Sequence, residues 1–158
     1  MTGAMTAGAA YAATQSVTAN IKFDTPLSLT KKNDITFGTV KAAQAGTYVI
    51  STSNAVTPSA GGVWLYGTPA AGSITVAGST TDTVTISTGG YTAQGGVTPS
   101  AATCKYGTGA AAACDAGISV AAPGASTPLL IGVQVAADGT QAAGSTATPS
   151  FTVTVVYN

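Results

Sequence analysis

Side chains able to do chemistry are few in this chain, and they are scattered. Its acids are five aspartates (Asp24, Asp34, Asp82, Asp115, Asp138) and its bases five lysines (Lys22, Lys31, Lys32, Lys41, Lys105), with no His, Glu or Arg. General acid–base catalysis near neutrality draws first on His and Glu, so the usual proton-transfer groups are missing. No Gly-x-Ser-x-Gly elbow presents a nucleophile, and no Asp-x-Asp-x-Asp cluster could hold calcium. Asn33 with Asp34, and Asp138 with Gly139, are pairs typical of solvated turns. The residues therefore predict a non-enzymatic protein with no catalytic residue, cofactor or metal site.

Cys104 and Cys114 are the exception. They stand ten residues apart in a segment rich in Gly and Ala. Such a pair fits a disulfide across a loop, which requires an oxidising compartment. Closing that loop would contribute roughly 2–3 kcal/mol by chain entropy. Two unpaired buried thiols are the other reading. A metal site would need further Cys or His to complete its ligands.

The surrounding composition says what must position these groups. Charged residues are 6% of the chain, against roughly 25% in an average domain, and net charge is zero. No basic patch could neutralise phosphates, which argues against a nucleic-acid partner. Absent net charge also removes the repulsion that keeps copies apart. No apolar run approaches the roughly 20 residues that span a bilayer as a helix, so no transmembrane segment is expected. Ala10, Tyr11, Ala12 and Ala13 resemble a signal-peptidase site, although residues 1–8 have neither a basic region nor a Leu-rich core. The expectation is a secreted protein whose leader lay upstream. Ala-rich pieces such as 109–113 are too short and Gly-flanked to persist as helices.

Period-two alternation dominates instead. Val17, Ala19, Ile21 and Phe23 alternate with Thr18, Asn20, Lys22 and Asp24, and the pattern returns at Leu27 and Leu29 and at Ile35 and Phe37. Two or three strands are predicted here, broken at 25–26 and 31–34. Residues 1–15 are expected to be a docked extension rather than a linker. Further strands are expected at 47–51, at 63–66 with Trp64 as a core anchor, and at 73–77 with 83–87. The last two should form a hairpin placing Ile74, Val76, Val84 and Ile86 on one face. Residues 89–123 read as a long cross-linked loop with a strand near 117–121. Strands at 129–135 and 151–157 close the chain. About eight short strands at regular turn spacing predict an all-β sandwich.

Three pieces of the chain carry a resemblance. The final run from Phe151 to Tyr157 and Asn158, with Tyr penultimate, is similar to the closing strand of bacterial fimbrial subunits. Ile35, Phe37, Gly38 and Val40 look like a strand near the start of those subunits. Residues 17–36 more closely resemble a secreted bacterial family known only as a domain of unknown function, which we group with the pilin-like sandwiches. The resemblance implies an immunoglobulin-like (pilin-like) β-sandwich that lacks one strand and is completed by an exchanged N-terminal strand, as in donor-strand complementation. By position, Val17, Ala19, Ile21 and Phe23 would be the donor side chains, in an extension at 1–24. The sandwich domain would occupy 25–158, its acceptor groove edged by Phe151, Val153, Val155 and Tyr157. Those pilins place their disulfide between the first strands, whereas Cys104 and Cys114 lie late in this chain.

The function expected is the structural subunit of an extracellular, cell-surface filament or pilus in a bacterium. Its partners would be identical subunits in a homopolymer, with a periplasmic chaperone and outer-membrane usher as candidate assembly factors. The alternative is a monomeric cell-surface binding module for carbohydrate or another surface ligand. Thr83 with Thr85, and Thr152 with Thr154, could present hydroxyl ladders for it, though aromatics are only 6% of residues, few for stacking sugars.

Overall fold

In a computed structural model, residues 15–158 are described. Residues 1–14 lie outside them, and with them all but the last residue of the expected docked extension. Alternation becomes strand wherever one face can be buried. Gly46, Tyr48 and Ile50 are buried along one strand, and Val84, Ile86 and Thr88 along a second. In a third, Leu129, Ile131, Val133 and Val135 are buried.

Twelve strands result, with no helix among the described residues: β1 (Ser28–Asn33), β2 (Thr39–Val40), β3 (Ala45–Ile50), β4 (Val56–Ser59), β5 (Trp64–Tyr66), β6 (Gly72–Ala77), β7 (Val84–Thr92), β8 (Val97–Tyr106), β9 (Ala112–Ala113), β10 (Ile118–Val120), β11 (Thr127–Asp138) and β12 (Ser150–Tyr157). All pairings are antiparallel. β11 is the spine of a seven-stranded sheet. Along one side it pairs with β8, and along the other first with β6 and then with β3. β1 borders β6, and β4 borders β3. Where β11 passes from β6 to β3 stands Gly132, because a Cβ there would collide with the Ile50 carbonyl oxygen. The opposing sheet has three strands in the order β10-β7-β12, and β2 with β5 forms a separate ribbon. Residues of both large sheets share one apolar core, making the architecture a β-sandwich.

Five local expectations are corrected. β6 and β7 are no hairpin: β6 joins the larger sheet and β7 the smaller, and the connection at 78–83 crosses between them. Alternation with a turn signal does not say which sheet the next strand enters. The long loop expected at 89–123 contains β8, one of the longest strands. Its pattern was hidden by a bulge at Ala101 (φ 50°), which puts Pro99 and Ala102 on the same buried side. Trp64 is half-buried rather than a core anchor. Residues 31–33 continue β1 instead of breaking it, and residues 17–24 form no strand within this chain.

The penultimate residue ties both ends of the domain together. The Tyr157 hydroxyl donates to the Thr25 carbonyl (2.5 Å) and accepts from the Ser79 N–H (2.6 Å). Gly78 is required beside it, since a Cβ would lie 2.5 Å from that hydroxyl. Tyr157→Phe leaves the Ser79 N–H without its acceptor and should cost about 1–3 kcal/mol of unfolding free energy. The expected readout is a lower urea midpoint at unchanged slope, with exposed Tyr66→Phe as the control that leaves the midpoint in place.

Candidate functional site

β12 is built from β-branched and aromatic residues with no charge, Gly or Pro. Its outward residues Thr152, Thr154 and Val156 are exposed, while Phe151, Val153, Val155 and Tyr157 face the core yet remain only half-buried. The cause is position. Among the described residues β12 pairs with β7 alone, so its outer edge presents unpaired backbone groups. Beside that edge lies a groove of about 1100 Å³. Tyr48, Ile131, Val133 and Val135 of the larger sheet line it, together with Phe151 and Val153 on one side and Ile35, Phe37 and Val40 on the other. Lys31, Asp34 and Lys41 contribute only from exposed positions at its margin.

The second wall is braced by residues whose role alternation does not reveal. Trp64 Nε1 donates to the Phe37 carbonyl (2.7 Å), and Gly38 (φ 82°) turns the chain where a Cβ would meet the Tyr66 carbonyl oxygen at 2.8 Å. On the first wall, a bulge at Gly90 (φ 62°) sets Tyr91 against Phe151, ring centroids 5.5 Å apart.

Of the four acceptor residues expected from the sequence, the structure places Phe151 and Val153 in the groove. Val155 and Tyr157 lie outside it, at the end where this chain's own Leu27 packs: Leu27 lies on the core, and its Cδ2 and the Tyr157 hydroxyl both crowd Gly78. The four residues expected to be donors are not brought to the groove. Val17, Ile21 and Phe23 are 91%, 78% and 83% exposed, and Ala19 is exposed as well. Their segment leaves the domain at the Tyr157 end, where Thr25 is held. Asp24 accepts a hydrogen bond from the Thr25 N–H (2.7 Å). Its proximity to Asp82 splits the two carboxyls, holding that of Asp24 low, at about 2, and raising that of Asp82.

The other sheet edges are blunted. β1 carries Lys31 and Lys32, β4 carries Pro58, the part of β8 not covered by β9 carries Pro99, and β10 is three residues long. Lysine, proline and brevity all discourage strand addition. β12 has none of these.

Cys104 and Cys114 form the expected disulfide, and both are fully buried. It does more than close a loop. The Cys114 N–H donates to Ala102 of β8 and its carbonyl accepts from Thr88 of β7, so the cross-linked segment bridges the two sheets. Next to it, Asp115 accepts from the Thr88 hydroxyl (2.5 Å) and from the Tyr91 hydroxyl. Partial desolvation pushes the Asp115 carboxyl up, but the two hydroxyls more than offset this and hold it below the usual range. Tyr91 is raised, by desolvation first and by Asp115 second. The Thr88–Tyr91–Asp115 cluster went unread in the sequence, where only the adjacency of Asp115 to Cys114 hinted at it.

Other chemistry finds little support in the geometry. The run 28–31 has Ser-x-x-Lys spacing, but on a strand positions i and i+3 face opposite ways, and Lys31 is ion-paired with Asp34 at 2.7 Å on the surface. No group of three or more potential metal ligands occurs among the described residues. The threonine ladder is interrupted, since Val156 stands opposite Thr85. No helix of the described chain is long and apolar enough to cross a membrane.

Residues 27–157 match the family described as domain of unknown function (DUF4402), and the chain belongs to that family. No curated protein and no solved structure matches it.

The Asp115 cluster has a testable pH signature. A carboxyl lowered by folding contributes stability that is present above its unfolded value and lost as pH falls through the folded one. Asp115→Asn should therefore be less stable than the parent at pH 7, with the gap closing as pH drops below about 4. Paired urea titrations across pH 2–7 measure this; a gap independent of pH would show that the carboxylate's charge is not what stabilises the cluster.

Proposed function

We propose that this protein is the structural, non-catalytic subunit of an extracellular filament that grows by strand complementation. In this reading the sandwich is of the immunoglobulin-like, pilin-like kind and lacks one strand. The segment 17–23 of a neighbouring copy supplies it by pairing with the outer edge of β12. One observation carries the proposal: an uncharged eight-residue edge beside an apolar groove, in a chain that also exposes an alternating apolar segment of similar length.

The energetics favour it. Burying Val, Ile and Phe side chains yields about 1.5–3 kcal/mol each, and edge pairing satisfies the backbone groups that β12 leaves open. Zero net charge sets no electrostatic barrier between copies. The buried disulfide fits an oxidising, extracytoplasmic route. A groove of this kind invites aggregation before assembly, and a periplasmic chaperone that covers it, followed by an outer-membrane usher, belongs to the proposal for that reason.

Negative-stain imaging of the purified protein tests the reading. The full chain is expected to form long uniform fibres, and a variant lacking residues 1–23 to remain a folded β-protein by circular dichroism without forming any. Normal fibres from that deletion would sink the proposal. A full-length chain that stays monomeric at high concentration would favour the surface-binding module instead.

A further inference from the structure

Resting on that reading, we infer that the incoming strand from a second copy is seated antiparallel to β12 in a single register: Phe23 opposite Phe151, Ile21 opposite Val153, and Ala19 opposite Val155. Three observations select it. The groove is open beside Phe151 and Val153 and does not extend to Val155 or Tyr157. Leu27 packs beside Tyr157 at that end. The donor segment carries its large side chains, Ile21 and Phe23, next to its root, and its small one, Ala19, two positions further out.

In this register bulky residues enter the open part and Ala19 meets the part that Leu27 occupies. A shift by two keeps the same face inward but loses the match. Moved one way, Ile21 is driven against Val155 and Leu27; moved the other, Ala19 faces Val153 and leaves a void.

The same geometry says why the occupant is another copy. The chain's own segment leaves at the Tyr157 end, tethered through Thr25. Laid back along its own β12 it would run parallel, placing Phe23 at the closed end and Val17 with Ala19 in the open groove. Self-filling is thereby mismatched residue by residue. A copy arriving at the Phe151 end places Phe23 there, beside the segment 144–150 that lines the groove at that end. Because donor and acceptor ends lie at opposite poles of β12, the contact is head-to-tail, so each added copy leaves a free donor and a free acceptor for the next.

Mixed chains that each carry one added cysteine beside the buried Cys104–Cys114 disulfide test the register. Lys22 and Thr152 are exposed and become direct neighbours across the antiparallel pair, whereas Thr18 would lie about 13 Å from Thr152, beyond disulfide reach. Chains carrying Lys22→Cys mixed with chains carrying Thr152→Cys should shift to a disulfide-linked dimer on non-reducing gels, and Thr18→Cys with Thr152→Cys should not. Ala19→Leu, exposed in the free chain, should lose assembly without loss of folding. Cross-linking of the Thr18 pair instead, or fibres that form with neither pair linked, would overturn the register while leaving strand complementation standing. A parent chain that does not associate at all would overturn both.

Discussion

A three-stranded sheet cannot cover a seven-stranded one. That mismatch governs this structure more than any single contact. The inward faces of β11 and β3 carry a continuous apolar surface, and β7 with β10 covers only part of it. The remainder is the floor of the groove, where Tyr48, Ile131, Val133 and Val135 are themselves buried, and β12 becomes a strand with an inward face only half removed from water. Apolar side chains left in that position are an unrealised source of stability. Everything else at the site follows: walls braced by Trp64 and Tyr91, an edge without gatekeeping charges, and a far end stopped by Leu27.

The protein handles its other edges in a contrasting way. Lys31 and Lys32, Pro58 and Pro99 sit where strand addition would otherwise be possible. With so few charges in the chain, two adjacent lysines on one exposed strand are a concentrated use of them. In the proposed filament, selectivity among edges would come as much from blocking as from attraction.

Much of this was legible in the residues. The alternations in β3, β11 and β12 point to strands because each has one buried face, and the spacing of Cys104 and Cys114 is borne out as a disulfide. What stayed hidden has a physical reason in each case. β8 escaped because the bulge at Ala101 breaks the period of two, and because its core residues are as small as Ala102. The β6–β7 crossing escaped because turn chemistry is local and sheet membership is not. The end of the groove near Tyr157 escaped because Leu27, distant in sequence from β12, is brought beside it by the fold, next to the Thr25 carbonyl that Tyr157 holds. A donor-like alternation at 17–23 is visible in the sequence, whereas its exposure, with no partner among the described residues, is visible only in three dimensions.

The Tyr157 hydroxyl, described above as a tie between chain ends, has a mechanical meaning in the proposed filament. Tension from a neighbour would enter the domain at Thr25, and the adjoining β1 would receive it along its length, against the row of backbone bonds to β6. Those bonds would be loaded together in shear rather than opened one after another. Tyr157 offers a second route, passing part of the pull to the end of β12, the strand on which the next copy is seated. Resistance to rupture would then be set by the rate at which paired strands slide, a kinetic property rather than an equilibrium one. A single phenol at the end of the chain would place inlet and outlet of the force on one continuous path.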